Sequence, residues 1–514
     1  MIFSVSKRPT ISQIHDLYRE NKASACEVSK FFLNRSQQTD KQINSFTKHS
    51  PEVAQTQSEN LDLILKEYKD RHGKDYFEKL LADYPLFGIP FSIKNIILAE
   101  GEIFTASSKI LDGFKAPYSS TVYKKMEKAG AVLIGINNMD QFAMGASGEN
   151  SDYGVTKNPF DSSRIPGGSS SGPAASVASG QVVFSLGTDT GGSIRQPASF
   201  CDVVGLKPTY GLVSRYGVMP MASSLDQVGA FTNNVQDNVL LTKLLAGKDV
   251  NDQTSIDSTE LVNRLEKDIE HKKTQRKTKK LTQTNHPMKI GIPKEFYIDG
   301  IDPKIRAALD KLQKELKELG HQIIPVSVPS IEHAISVYYL TMSVEVAANL
   351  ERIDGVRYAP QQESYSELYF EHREKYFGDE PKRRIMLGTY ASSAGYYDAY
   401  YNQAQKVRKL ARDDFDKAFE LCDIMLTPTS PEFPFKIGQK SNDPLSMYLS
   451  DVFTCGINPV RIPGLAVPMG LFDVEDEGKI VKLPAGCQLL GPEQTEDRLF
   501  KLAEEIETII NQEI

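Results

Sequence analysis

Three stretches of the chain carry residue types that could do chemistry. In IPFSIKNIILAEG, Lys94 sits inside an otherwise continuous apolar run. Burying an unpaired ammonium is costly, so a lysine in a buried strand is driven toward its neutral amine, which accepts a proton near neutral pH. Lys94 is therefore a candidate general base. An edge strand that turns Lys94 to water is the alternative this segment leaves open. The other two stretches are PGGSSSGPAASVASG at 166–180 and SLGTDTGGSIRQPAS at 185–199. Glycine and serine at this density imply tight turns, exposed backbone N–H groups and hydroxyls, which together suit a negatively charged ligand or intermediate.

Two chemistries compete for such loops. A phosphate cradle of the P-loop kind needs a lysine and a hydroxyl residue directly after its last glycine, and the dinucleotide kind needs GxGxxG. Neither spacing is present. Acyl transfer by a serine requires a neighbouring base, and that base is usually histidine. None of the eight histidines lies between residues 73 and 270, so Lys94 is the remaining candidate.

The elements that must position these residues follow an alternation of strand-like apolar runs and amphipathic helices, the pattern of a layered α/β fold. Ser119 and Ser120 are candidate caps for a helix over TVYKKMEKAG, closed by Gly130 and followed by a strand from Ala131 to Ile136. Asp302 and Pro303 open a second helix with Ile305, Leu309, Leu312, Leu316 and Leu319 on one face. Gly320 stops it, and a strand from Gln322 to Val326 follows.

The chain has 514 residues, 40% of them hydrophobic, enough for a large buried core. Its net charge of −7 provides no global positive field for nucleic acid. Five cysteines without CxxC or metal-ligand spacing fit a reducing compartment. With no leader-like start and no apolar run near the roughly 20 residues that would span a bilayer, the expected location is the cytoplasm, away from membranes. Residues from about 250 to 287 form a polar, basic stretch, expected to be a solvated connection between two halves of one domain covering 1–514. Its cluster of Lys272, Lys273, Arg276, Lys277, Lys279 and Lys280 would alternatively suit RNA phosphates.

The lysine strand at 94, the GGSS loop at 167–170 and the GTDTGGSIRQPA segment at 187–198 together resemble the amidase-signature family. The resemblance implies a single α/β domain of the amidase-signature fold, with a mixed, mainly parallel central sheet flanked by helices. It also implies a Ser-cisSer-Lys triad: Ser193 as nucleophile, Ser169 as the bridging serine and Lys94 as terminal base. The oxyanion hole would come from backbone N–H groups around Thr190, Gly191, Gly192 and Ser193. Two departures stand out. The family usually reads KDN from its lysine onward, whereas here Asn95 and Ile96 follow Lys94, and Ser171 and Gly172 replace a glycine pair after GGSS.

Within the family, NNMDQFAMGASGENSDYG, SRYGVMPMASSLDQVG and KRRIMLGTYASSAGYYDAYYNQAQKVR are similar to the glutamine-dependent, tRNA-linked amidotransferase branch. That similarity implies hydrolysis of glutamine to glutamate and ammonia, the ammonia serving to convert Glu-tRNA(Gln) into Gln-tRNA(Gln). Arg384 would then hold the α-carboxylate of glutamine, Asp451 its α-ammonium, and Tyr338 would line the pocket. A B subunit would use ATP and magnesium to activate the tRNA-bound glutamate, a small C subunit would clamp the pair, and tRNA would be contacted mainly through the partner. No cofactor or metal is expected in this chain. The alternative is a free-standing amidase acting on another small amide.

Overall fold

In the computed structural model, which describes residues 7–274, 283–354, 358 and 365–513, eleven strands form one sheet. They are β1 (Phe46–His49), β2 (Pro90–Lys94), β3 (Val132–Asn137), β4 (Phe184–Asp189), β5 (Val204–Lys207), β6 (Gln227–Thr232), β7 (Lys289–Pro293), β8 (Gln322–Val326), β9 (Ile424–Pro428), β10 (Gly464–Asp476) and β11 (Lys479–Leu490). The spatial order is β1-β3-β2-β4-β6-β5-β10-β11-β9-β7-β8.

The sheet is mixed and flanked by helices, as expected. Its parallel pairs, however, fall in two blocks: β3-β2-β4, and β9-β7-β8. Every pair from β4 through β6, β5, β10 and β11 to β9 is antiparallel, as is β1 on β3. Antiparallel pairs therefore outnumber parallel ones, against the expectation of a mainly parallel sheet; an apolar run buried on both faces reads the same in either direction, so the sequence does not show strand direction. Strand direction is set instead by connections such as the tight turn at Gly478 (φ +78°), which folds β10 back onto β11.

The block that matters for chemistry is β3-β2-β4. All five residues of β2 and all six of β4 are buried, and Phe91 and Phe184 stack across the pair with ring centroids 5.2 Å apart. The short helix Ser171–Ala178 is buried throughout and packs across β2, β3, β4 and β6. Because β2 and β4 run parallel with Ile93 opposite Leu186, their C-terminal ends lie side by side. Lys94 thus emerges beside the end of β4, at the edge where ligands gather in open α/β sheets. The edge-strand alternative for Lys94 is excluded by strands on both sides of β2.

The helices expected from the sequence form close to their expected bounds. The helix after Ser120 covers Thr121–Lys128, with the Ser120 hydroxyl accepting from Tyr123 N–H at 3.2 Å. The helix after Asp302 covers Pro303–Glu318, with the Asp302 carboxylate accepting from Lys304 N–H at 2.8 Å and Ile305, Leu309, Leu312 and Leu316 buried.

The stretch expected to be a polar connection differs. It contains the helix Thr259–Thr274, whose Leu261 and Leu265, one turn apart, are both buried. Residues 275–282, with most of the basic cluster, lie outside the described residues. Among the described residues no helix is long and apolar enough to cross a membrane.

Candidate active site

Lys94 is fully buried, and its Nζ donates to Ser169 Oγ at 2.8 Å and to Thr188 Oγ1 at 2.9 Å. Burial lowers the ammonium from the usual lysine value to about 7, against the raising influence of Asp140, Asp189 and Asp226. Both hydroxyl partners come from elements already fixed by the sheet: Thr188 from β4, and Ser169 from the loop that precedes the buried helix at 171.

That loop is held tightly. The Gly168–Ser169 peptide is cis, as the family resemblance implies. Ser170 Oγ donates to Thr188 C=O at 3.0 Å and accepts from Thr188 N–H at 3.3 Å, fastening the loop to β4. Gly168 is required by close approach, since a Cβ there would lie 2.2 Å from an Asp140 carboxylate oxygen. Asp140 in turn accepts from the N–H groups of Gly148 and Asn150.

The turn carrying Ser193 is organised by a carboxylate. Asp189, at the end of β4, accepts from Gly192 N–H at 2.8 Å, Ile194 N–H at 3.1 Å and Asn458 Nδ2 at 3.0 Å. It also pairs with Arg195 through Nε and Nη2, both at 3.0 Å, and both side chains are fully buried. Burial alone would raise the Asp189 carboxyl, but the Arg195 guanidinium overrides it and holds the group well below the usual carboxylate range. Arg195 spends its other hydrogens on Gln488 Oε1 at 2.6 Å and Asn458 Oδ1 at 2.7 Å.

Ser193 C=O accepts from Ser170 N–H at 3.3 Å, which ties this turn to the Ser169 loop. The three expected triad positions are therefore brought to one place. The Lys94–Ser169 hydrogen bond is formed, whereas Ser193 Oγ makes no hydrogen bond among the described residues. Such contacts are often long before substrate binds and tighten on binding.

One expected oxyanion donor is corrected. Gly192 N–H is not free, because it caps the Asp189 carboxylate. The amides of Thr190, Gly191 and Ser193 find no acceptor among the described residues, and these three are available to a developing negative charge.

Of the expected substrate residues, Tyr338 and Asp451 lie against the same turn, and the Arg384 guanidinium is near enough to act on both. A Cβ on Gly191 would meet the Tyr338 ring at 2.5 Å, and one on Gly192 would meet Thr454 Oγ1 at 2.2 Å and Asp451 Oδ1 at 3.5 Å. Tyr338, Thr454 and Asp451 thus wall the glycines. Thr454 Oγ1 donates to Gly191 C=O at 3.0 Å. Arg384 is buried on the helix Asp379–Ser392 and donates from Nε to Glu380 Oε1 at 2.7 Å; its guanidinium lies 5.5 Å over the Tyr339 ring. Tyr448 OH donates to the same Glu380 oxygen at 3.0 Å. Asp451 is buried, its Oδ1 has no hydrogen-bond partner, and burial pushes its carboxyl up to about 8. A buried carboxyl group without a partner lacks the hydrogen bond that a cationic ligand would supply.

Sequence reasoning missed Thr188, Asp189, Arg195, Glu380 and Thr454. Thr188, Asp189 and Arg195 all lie inside SLGTDTGGSIRQPAS, and an aspartate and an arginine within a stretch otherwise poor in charge were the available signal. The two departures are also accounted for. Asn95 donates to Thr47 Oγ1 at 2.9 Å and Thr105 Oγ1 at 2.7 Å and accepts from Thr105 N–H at 2.9 Å, so the neutral amide is fully used. Ser171 Oγ donates to Thr156 Oγ1 at 3.3 Å, while a Cβ on Gly172 would lie 2.3 Å from Ser45 C=O.

A buried amine with its pKa lowered to about 7 in contact with one serine, and a second serine on a turn with uncommitted amides, are the equipment of a serine-dependent amide-cleaving enzyme. The chain belongs to the amidase family, whose model, described as Amidase, matches residues 27–500. It is 42% identical to the glutamyl-tRNA(Gln) amidotransferase A subunit of Thermoanaerobacter pseudethanolicus, covering 96% of this chain and 95% of that one. The identity to the protein of the same name from Heliobacterium modesticaldum is 44%, over 96% and 95% of the two chains. Among solved structures, that of the glutamyl-tRNA(Gln) amidotransferase A subunit from Thermotoga maritima superposes with a TM-score of 0.73 at 33% identity, covering 98% of this chain and 95% of that one.

Two outcomes follow from this geometry. Lys94 accepts a proton only when neutral, so kcat/KM for amide hydrolysis is expected to fall as pH drops through about 7 and to level off above it; a limb unmoved from the ordinary lysine range would contradict the assignment of Lys94 as base. Arg195→Met strands the Asp189 carboxylate in the core, an effect on the order of 3–5 kcal/mol, to be read as a large drop in the denaturant midpoint.

Proposed function

We propose that this chain is the glutamine-hydrolysing subunit of an amidotransferase that converts Glu-tRNA(Gln) into Gln-tRNA(Gln). The observation that carries the reading is the buried, partnerless Asp451 beside the Ser193 turn, with Arg384 near enough to act on its charge, in a chain similar over nearly its whole length to amidotransferase A subunits. Free glutamine carries a carboxylate and an ammonium on its α-carbon. A selective site therefore needs one cationic fork and one acid, each shielded from water.

In this reading Arg384 binds the α-carboxylate with the hydrogens not committed to Glu380, Asp451 binds the α-ammonium, and Tyr338 forms a wall. The side-chain amide then reaches the Ser193 turn. Neutral Lys94 draws the Ser169 hydroxyl proton while Ser169 takes the proton of Ser193, whose oxygen attacks the amide carbon. The amides of Thr190, Gly191 and Ser193 receive the oxyanion, each such donor contributing roughly 3 kcal/mol to the transition state. The relay runs in reverse to protonate the leaving nitrogen, ammonia departs, and a γ-glutamyl ester remains on Ser193. Water, deprotonated by the same relay, clears the ester to glutamate.

The ammonia would be consumed in the cytoplasm by a B subunit that activates the tRNA-bound glutamate with ATP and magnesium, with a small C subunit clamping the pair and the tRNA contacted mainly by the partner. Support for partners comes from the relatives, which are named as subunits.

Asp451→Asn should raise KM for glutamine by on the order of tenfold to a hundredfold, the loss of one charge-assisted contact, while hydrolysis of a small amide without an α-ammonium is spared. Equal losses on both substrates would remove Asp451 from ammonium recognition. Affinity purification from the source cell is expected to bring down two companion chains; recovery of the chain alone would favour the free-standing amidase.

A further inference from the structure

Asp226 takes no part in the relay, yet it is buried beside both halves of the site. It precedes β6, whose first residue, Gln227, stands opposite Asp189 at the end of β4, so Asp226 faces the first residue of the nucleophile turn. Thr190 Oγ1 donates to Asp226 Oδ1 at 2.7 Å, and the N–H groups of Met221 and Ala222 donate to Oδ2 at 2.8 and 3.0 Å. One carboxylate thereby joins the Ser193 turn to the turn at 221–226. Asp226 forms no ion pair within 4 Å among the described residues, so a hydroxyl and two amides alone hold it in place.

We infer that Asp226 is a positioning residue for the reaction: through the Thr190 hydroxyl it fixes the aim of the oxyanion-binding amides. This rests on the acyl-transfer reading above. Thr190 contributes one of the free amides, and with its side chain tethered its backbone cannot swing away from the carbonyl it must receive.

The tether also bears on the charges that surround Lys94. The acidic groups acting on it are Asp140, Asp189 and Asp226. Asp189 is compensated by Arg195 at 3.0 Å, whereas Asp226 has only the more distant Arg215 opposite it. Burial raises the Asp226 carboxyl to about 6, and the Thr190 hydroxyl leads the contacts that keep it ionised. Removing either the charge or that hydroxyl weakens the field that favours protonated Lys94. The amine then becomes neutral at lower pH.

The test uses Thr190→Val, Thr190→Ser and Asp226→Asn in the full chain, purified with whatever partner chains accompany it, and measures glutamine hydrolysis against pH. Thr190→Val is expected to lower kcat about tenfold to a hundredfold, the range of a misaimed oxyanion donor, with KM for glutamine changed less than about threefold. Its acidic limb should move to lower pH, and Thr190→Ser, which restores the hydroxyl, should return both readings to near wild type. Asp226→Asn should lower kcat and shift the limb in the same direction.

A substitution that only loosened the fold would reduce active protein without moving the limb. Unchanged kcat in Thr190→Val, or failure of Thr190→Ser to restore it, overturns the inference. Should Asp226→Asn fail to fold, the threonine pair alone decides. Full glutaminase activity in Ser193→Ala would instead remove the acyl-transfer reading itself, an outcome distinct from any result at Thr190.

Discussion

The exclusion of water from one amine is the constraint around which the site is built. Lys94 becomes useful only because β2 is closed by β3 and β4 on its two sides and by the helix Ser171–Ala178 above it, leaving the ammonium no solvent to stabilise its charge. The same enclosure supplies the two hydroxyls it touches. Neither contact could exist at an edge strand, and neither would help if Lys94 were solvated, because its proton would then be held too firmly for any serine to be relieved of its own.

A second requirement is that the nucleophile turn stay rigid while exposing its amides. Here the structure uses charge where it might have used packing. Asp189 collects three kinds of donor, from its own turn, from Arg195 and from Asn458, and so pins residues 192 to 195 from below. On the other side Gly191 and Gly192 have no side chains, so Tyr338 and Thr454 pack into that room while the Thr190, Gly191 and Ser193 amides stay without an acceptor among the described residues. Fixing one side with an ion pair and clearing the other with glycine gives preorganised donors without covering them.

Much of this was legible in the sequence, for definite reasons. Lys94 was visible because a lone cation interrupts an apolar run; glycine marked the serine-bearing loops, and the resemblance to the family singled out Ser169 and Ser193 within them. The amphipathic helix at 303–318 declared its buried face through the spacing of its leucines. Other features left no local trace. Strand direction in the middle of the sheet is invisible in buried runs such as those of β4 and β5. The capture of Gly192 N–H by Asp189 depends on a turn geometry that residue types alone do not fix. Glu380, one turn before Arg384, looked like an ordinary helix-start acid until its carboxylate was seen braced by Tyr448. The helix at 259–274 was concealed by its polar composition, since in its first half only Leu261 and Leu265 are fully buried, with Val262 partly buried against the core.

The partnerless state of Asp451 has a thermodynamic consequence beyond recognition. With its carboxyl titrating near pH 8 before any ligand arrives, this group carries a proton through most of the neutral range. A cationic ligand seated against it favours the carboxylate, so that proton must leave as the ligand enters. Association at neutral pH is then an exchange of one positive species for another. Its apparent heat should vary with the ionisation enthalpy of the buffer, and its affinity should strengthen as the medium becomes more alkaline, until the ligand's own amine begins to discharge.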